Sequence, residues 1–198
     1  MDEAIQEGRA RGIEFEGRTE AAAGEPRLVI RELGPADKDA MRVALDRLSP
    51  ESSYRRFMCH RSGFTDREVA QLTDPDGIDH VAVCAVLEGP DGASEIVGTA
   101  RYFRFGAAGD AAEPAIMVVD GHQGIGLGRL LFRRLLSVAQ GQGIRTFECE
   151  LLATNTPMKR LLDSVSGGLT EYVQADPGCV VARIPTRAGA PLAEQRAA

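Results

Sequence analysis

Asp120-Gly121-His122-Gln123-Gly124-Ile125-Gly126-Leu127-Gly128-Arg129 is the stretch on which the reading of this chain turns. It follows the apolar run Glu113-Pro114-Ala115-Ile116-Met117-Val118-Val119, which reads as a strand. It leads at once into a helix with Leu130, Leu131, Leu135, Leu136 and Val138 on its apolar face and Arg129, Arg133 and Arg134 outside it. A strand that runs into a glycine loop opening a helix is a ready anion site. The first helical N–H groups lack internal partners, and the helix dipole favours negative charge there. Spacing separates the phosphate loops that compete for such a stretch. A Walker loop ends in Gly-Lys-Ser/Thr, whereas Gly128 is followed by Arg129-Leu130. A dinucleotide fingerprint starting at Gly124 needs glycine or alanine at position 129 and meets Arg129. What remains is Gln123-x-x-Gly126-x-Gly128, which by itself is also compatible with a plain glycine turn before a helix.

Upstream of the loop, residues 28–33 form a short β-branched burst, and helical spacing follows at Met41, Ala44, Leu45 and Leu48. Ser49-Pro50 and Thr65-Asp66-Arg67-Glu68 are helix starts. Residues 79–88 and 94–105 flank the turn Gly89-Pro90-Asp91-Gly92 and read as an antiparallel pair. Downstream come a strand at 146–152, a helix around 157–164, and two last strands near 169–174 and 178–184. The order is that of a mixed α/β domain.

Composition narrows the class. A chain of 198 residues with 43% hydrophobic content suits one compact domain. No apolar run approaches the roughly 20 residues of a membrane span, and the charged start MDEAIQEGRARG lacks a secretory segment, so a cytoplasmic location is expected. A net charge of -6 and a pI near 5.2 argue against a nucleic-acid binder. Cys59, Cys84, Cys149 and Cys179 are widely spaced and read as reduced core residues. His60, His80 and His122 lack ligand spacing, so no metal site is expected.

With its context, the Gln123-x-x-Gly126-x-Gly128 loop resembles the acetyl-CoA pyrophosphate loop of the GNAT acetyltransferase superfamily. The loop follows an apolar strand, opens a Leu-rich helix, and is trailed by the strand FECELLA, Asn155 and another helix, the order that superfamily uses. The segments SPESSYRRFM, TDREVAQLT, AEPAIMVVD, HQGIGLGRLLFRRL and NTPMKRLL together look like the bacterial protein-lysine acetyltransferase branch. Longer members of that branch carry a fused cyclic-nucleotide-binding or synthetase-like domain, for which this chain leaves no room. The resemblance implies one GNAT-like domain at residues 27–184, between flexible tails at 1–26 and 185–198. Its central sheet should be mostly antiparallel, partly splayed and flanked by helices.

The same resemblance implies an acetyl-CoA-dependent N-acetyltransferase in which a primary amine, of a protein lysine or a small molecule, attacks the thioester directly. A catalytically weak acyl-CoA sensor is the alternative. Backbone groups of Met117, Val118 and Val119 should pair with the pantetheine arm, and the amides of Gln123, Gly124, Ile125, Gly126, Leu127, Gly128 and Arg129 should hold the pyrophosphate. Asn155 should contact acetyl-CoA, or act as a helix cap. The chemistry must take a proton from an ammonium of pKa ~10.4 and polarise a carbonyl. Glu113 matches the branch's catalytic glutamate, with Pro114 in place of an aromatic residue, and Glu148 and Glu150 are rival bases on the strand after the loop. An N–H near Val118 or Val119 is the expected oxyanion donor. Where many relatives carry a tyrosine that protonates the leaving thiolate, this chain has Leu162. Lys159 and Arg160 are within range of a ribose phosphate, and residues 54–61 should wall the acceptor site. A homodimer is left open.

Overall fold

The computed structural model describes residues 26–106 and 109–187. Four strands form an antiparallel meander: β1 (Arg27–Glu32), β2 (His80–Glu88), β3 (Ser94–Phe105) and β4 (Ala111–Val118). Between β1 and β2 lie α1 (Lys38–Asp46), α2 (Pro50–Phe57) and α3 (Asp66–Thr73). The anion loop leads from β4 into α4 (Leu127–Gly141), followed by β5 (Thr146–Leu152), α5 (Thr156–Ser166), β6 (Glu171–Asp176) and β7 (Cys179–Pro185). The seven strands make one sheet in the order β1-β2-β3-β4-β5-β7-β6.

Helices cover both faces of this sheet. On one face Leu127, Leu131, Phe132 and Leu135 of α4, with Leu162 of α5, pack on Val83, Ala100, Tyr102 and Phe147. On the other, Met41, Leu45 and Val69 pack on Cys84, Ile96, Met117 and Val119. With apolar layers on both sides, six successive residues of β2, Val81 to Val86, are buried. Gly98 permits the close approach of α4: a Cβ there would stand 2.9 Å from Leu131 Cδ1 and 3.1 Å from the Met117 carbonyl oxygen. No helix among the described residues is long and apolar enough to cross a membrane.

The sheet splays at β4. Its parallel pairing with β5 holds only at Ala111↔Thr146 and Ala112↔Phe147, while β5 stays paired with β7 from Thr146 to Leu152. Pro114 contributes to this opening because it has no N–H to give a ladder. The register fixes which amides face the gap. The Val119 N–H donates to the Val97 carbonyl at 3.0 Å, and β3 and β4 pair residue by residue from Gly98↔Val118. Backbone groups alternate along a strand, so Met117 and Val119 bond β3, whereas Pro114, Ile116 and Val118 present theirs to the splay.

Three details differ from the sequence reading. Leu130 is 43% exposed and Arg134 only 6%, because Arg134 lies about 60° around the helix from buried Leu131 and Leu130 about 100°. Cys59 is exposed rather than buried, at the loop after α2. Pro185 completes β7, and the Thr186 hydroxyl donates to the Ile144 carbonyl at 2.7 Å, so the fold runs past residue 184. The remaining expected tail, residues 1–25 and 188–198, lies outside the described residues.

Candidate active site

A cleft of about 860 Å³ opens where β4 and β5 part. Glu113, Pro114, Ala115, Ile116, Met117 and Val118 of β4 form one wall, and Cys149, Glu150 and Leu151 of β5 the other. The loop at Gln123, Gly124, Gly126, Gly128 and Arg129 closes one end, with Asn155 and Arg160 beside it. Arg55, Arg56, Phe57 and Met58, from the end of α2, also line it.

Of the candidate residues, Glu113, Met117, Val118, Gln123, Gly124, Gly126, Gly128, Arg129 and Asn155 are thus brought together. Three are not among the lining residues. Ile125 is 74% exposed on the outer side of the loop, Leu127 is buried in the core, and Val119 is buried with its amide spent on Val97. That last bond leaves the Val118 N–H as the one of the pair that faces the gap.

The start of α4 differs from those of α2, α3 and α5. Ser49, Thr65 and Asn155 cap α2, α3 and α5 with side-chain oxygens. At α4 the cap is Gly126, at φ 92° with no side-chain bond, and no acidic residue stands in the first turn. Its first N–H groups therefore remain open to an anion. The Gln123 side chain does not point that way. Its Nε2 donates to the Val118 carbonyl at 3.0 Å and to Ser52 Oγ at 3.1 Å, bracing the loop against β4 and α2.

Asp120 completes this brace, and the sequence reading missed it. It accepts from the Ser49 N–H at 2.9 Å, Ser49 Oγ at 2.8 Å and Ser52 Oγ at 2.7 Å. Partial burial works to raise its pKa, but the three donors prevail and hold it below the ordinary carboxylate range. The contact joins residues 71 positions apart, so the local signal was only the Ser49-Pro50 helix start.

The rival bases separate by their partners. Glu148 forms an ion pair with Arg183 Nε at 2.7 Å, directly across β5 and β7, and does not line the cleft. Glu150 lines it beside Cys179, whose thiol pKa burial and the Glu150 carboxylate raise. Glu113 lines it, exposed, with Arg56 as an electrostatic neighbour. Cys149 also lines the cleft, yet burial, with Glu113 and Glu148 nearby, pushes its thiol up to about 12, which disfavours a thiolate nucleophile there at neutral pH.

Leu162 is fully buried, and none of the three tyrosines lines the cleft. Tyr172 donates to Asp163 Oδ1 at 2.9 Å, and Tyr54 stacks on His60. Lys159 is tied to the Ala153 carbonyl at 2.8 Å, which leaves Arg160 as the α5 cation on the cleft. Asn155 Oδ1 accepts from the Met158 N–H at 3.2 Å, so it is a cap, while its Nδ2 has no partner among the described residues.

An open sheet, split beside an uncapped helix start with a carboxylate in the gap, defines an acyltransferase of the GNAT class. The chain belongs to the acetyltransferase (GNAT) family, whose pattern its residues 47–167 match. It is 31% identical over 134 residues to acetyltransferase PA5475 of Pseudomonas aeruginosa, covering 68% of this chain and 71% of that one. It is 29% identical over 155 residues to acetyltransferase Pat of Mycolicibacterium smegmatis, covering 78% of this chain but 44% of that protein's length. The crystal structure of the GNAT domain of S. lividans PAT superposes with a TM-score of 0.71 at 28% identity, covering 81% of this chain and 90% of that one. The family and the splayed mixed sheet are those expected from the sequence.

Proposed function

We propose that this acetyltransferase binds acetyl-CoA along the open edge of β4 and passes the acetyl group by direct attack of a primary amine, with Glu113 as base. The observation that carries the reading is the run of Ile116 and Val118 backbone groups facing the splay, continuous with the uncapped start of α4. Ile116 would pair with the pantetheine amides as an added strand does. The amides of residues 124–129 and the Arg129 side chain would hold the pyrophosphate, and Asn155 Nδ2 would donate to the arm. Glu113 would take the ammonium's proton while the Val118 N–H meets the carbonyl oxygen. The protonated Cys149 thiol supports direct attack over an acyl-enzyme. The motif resemblance to the protein-lysine acetyltransferase branch makes protein lysine one acceptor class, with small amines the other.

A weak acyl-CoA-binding sensor is the second reading, favoured by buried Leu162 and by the lack of a tyrosine in the cleft. Amine-dependent turnover by the wild type decides between them, and Glu113→Gln tests the base. Loss of a positioned general base costs about 10²–10⁴ in rate. Acetyl transfer should fall by that factor and recover as pH rises toward the amine's own pKa. Unchanged turnover would remove Glu113 from the mechanism.

A further inference from the structure

Two arginines near Glu113 make no salt bridge among the described residues. Arg56 of α2 lines the cleft, and among the described residues it makes no hydrogen bond or ion pair. Its guanidinium carbon lies 4.8 Å from the centre of the Phe57 ring. Its neighbours are spoken for: Arg55 pairs with Glu51 at 2.6 Å, and Arg61 pairs with Glu68. Beneath it, Arg101 of β3 is only 1% exposed. Arg101 Nη1 donates to the Leu72 carbonyl at 2.7 Å and lies 3.4 Å from His80 Nε2, and its Nη2 has no hydrogen-bond partner among the described residues.

Arg101 sits directly opposite Ala115, a cleft residue, and therefore on the same sheet face as Glu113 two positions away. It interacts electrostatically with Arg56, and both guanidiniums are partly desolvated. His80 cannot offset them. Burial and the Arg101 charge bring it down to about 4, so it is neutral at pH 7. Two guanidiniums thus lie near the base, with the Glu113 carboxylate beside them and Glu150 on the opposite wall of the cleft. An amine that also carries a carboxylate enters neutral and brings the anion that the guanidiniums lack.

Resting on the transferase reading above, we propose that Arg56, backed by Arg101, selects acceptors that carry a carboxylate close to the reacting amine. Arg56 would grip the carboxylate by its planar fork, a shorter and stronger contact than a neutral hydrogen bond. Arg101 is a positioning charge behind it. The carboxylate has two sources, a small amino acid or an acidic side chain beside a lysine.

The test uses matched acceptors with acetyl-CoA and the full chain: β-alanine against β-alaninamide, and a lysine peptide with an adjacent aspartate against its asparagine counterpart. Wild type should favour the carboxylate member by about 10–100-fold in kcat/KM. Whichever pair shows it identifies the source. Arg56→Gln should bring the ratio near one, and Arg56→Lys, which keeps charge but loses the fork, should give an intermediate ratio. A wild-type ratio near one overturns the proposal. So does an equal loss on both members in Arg56→Gln, which would assign Arg56 to Glu113 or to packing. Calorimetric binding of glutarate, a carboxylate without an amine, separates this failure from that of the transferase reading. Glutarate binding abolished by Arg56→Gln upholds the carboxylate site even where no amine is acetylated, an outcome that counts against the transferase reading alone. Absence of both signals overturns the site.

Discussion

Gly126 is the position at which the phosphate loop is most sharply tested. At φ 92° it lies in the left-handed region, yet a Cβ there meets nothing within 4 Å. Substitution therefore costs backbone strain but no collision, about 1–2 kcal/mol for an ordinary residue and less for Asn or Asp, which visit that region. Gly126→Asn and Gly126→Asp are nearly isosteric, so their difference isolates one negative charge at the start of α4. A unit charge ~5 Å from a phosphate at an effective dielectric of ~20 is worth about 3 kcal/mol, or roughly a hundredfold in Kd. Calorimetric titration with acetyl-CoA should show the Asn variant binding within about tenfold of wild type and the Asp variant roughly a hundredfold weaker than Asn. Salt should narrow the gap. Acetyl-pantetheine, which lacks phosphates, should not distinguish them. Equal binding of acetyl-CoA by both variants, or an equal loss with acetyl-pantetheine, would refute a phosphate at this loop.

Gly98→Ala forces a methyl against Leu131 Cδ1 at 2.9 Å and the Met117 carbonyl at 3.1 Å. Overpacking of about 1–3 kcal/mol should lower Tm by roughly 2–12 °C on a thermal scan. His80 has a folded pKa of about 4, below its ordinary 6.5, so the unfolded chain protonates first. Stability is full above about pH 6.5 and falls as pH drops toward about 4, by at most about 3 kcal/mol. Urea midpoints across that window should follow this slope in wild type and flatten in His80→Gln. Asn155→Ala should cost about 1 kcal/mol as a lost cap, read as a few degrees of Tm. Asn155→Asp should restore the Tm but not the affinity for acetyl-CoA, because it keeps the cap oxygen and loses the Nδ2 donor.

The elements that were legible before the structure are those with local causes. The turn Gly89-Pro90-Asp91-Gly92 between β2 and β3, helix starts at Ser49-Pro50 and Thr65, and the glycines around Gly126 each act within a few residues. Arg134 and Leu130 were misplaced because the buried stripe of α4 is wider than an apolar-only pattern suggests. Arg101 has no signal in the sequence that singles it out from the other arginines. It is buried because α2 and α3 cover that face of the sheet as well, a tertiary fact. The Asp120 brace spans 71 positions and has no local signature. The direction of the β4 amides was legible after all. Pro114 has no N–H and can sit inside a sheet only where no ladder bond is required, which fixes Ile116 and Val118, two and four residues on, as facing the same gap.

Acetyl-CoA consumption with and without an amine, followed by mass spectrometry of the acceptor and of the protein, reaches the central claim directly. Direct attack in the splay predicts CoA release that requires an amine, one amide formed per CoA released, and no acetyl group retained on the protein under single-turnover conditions. Release at the same rate without an amine, or a burst that leaves acetyl on Cys149, would contradict it.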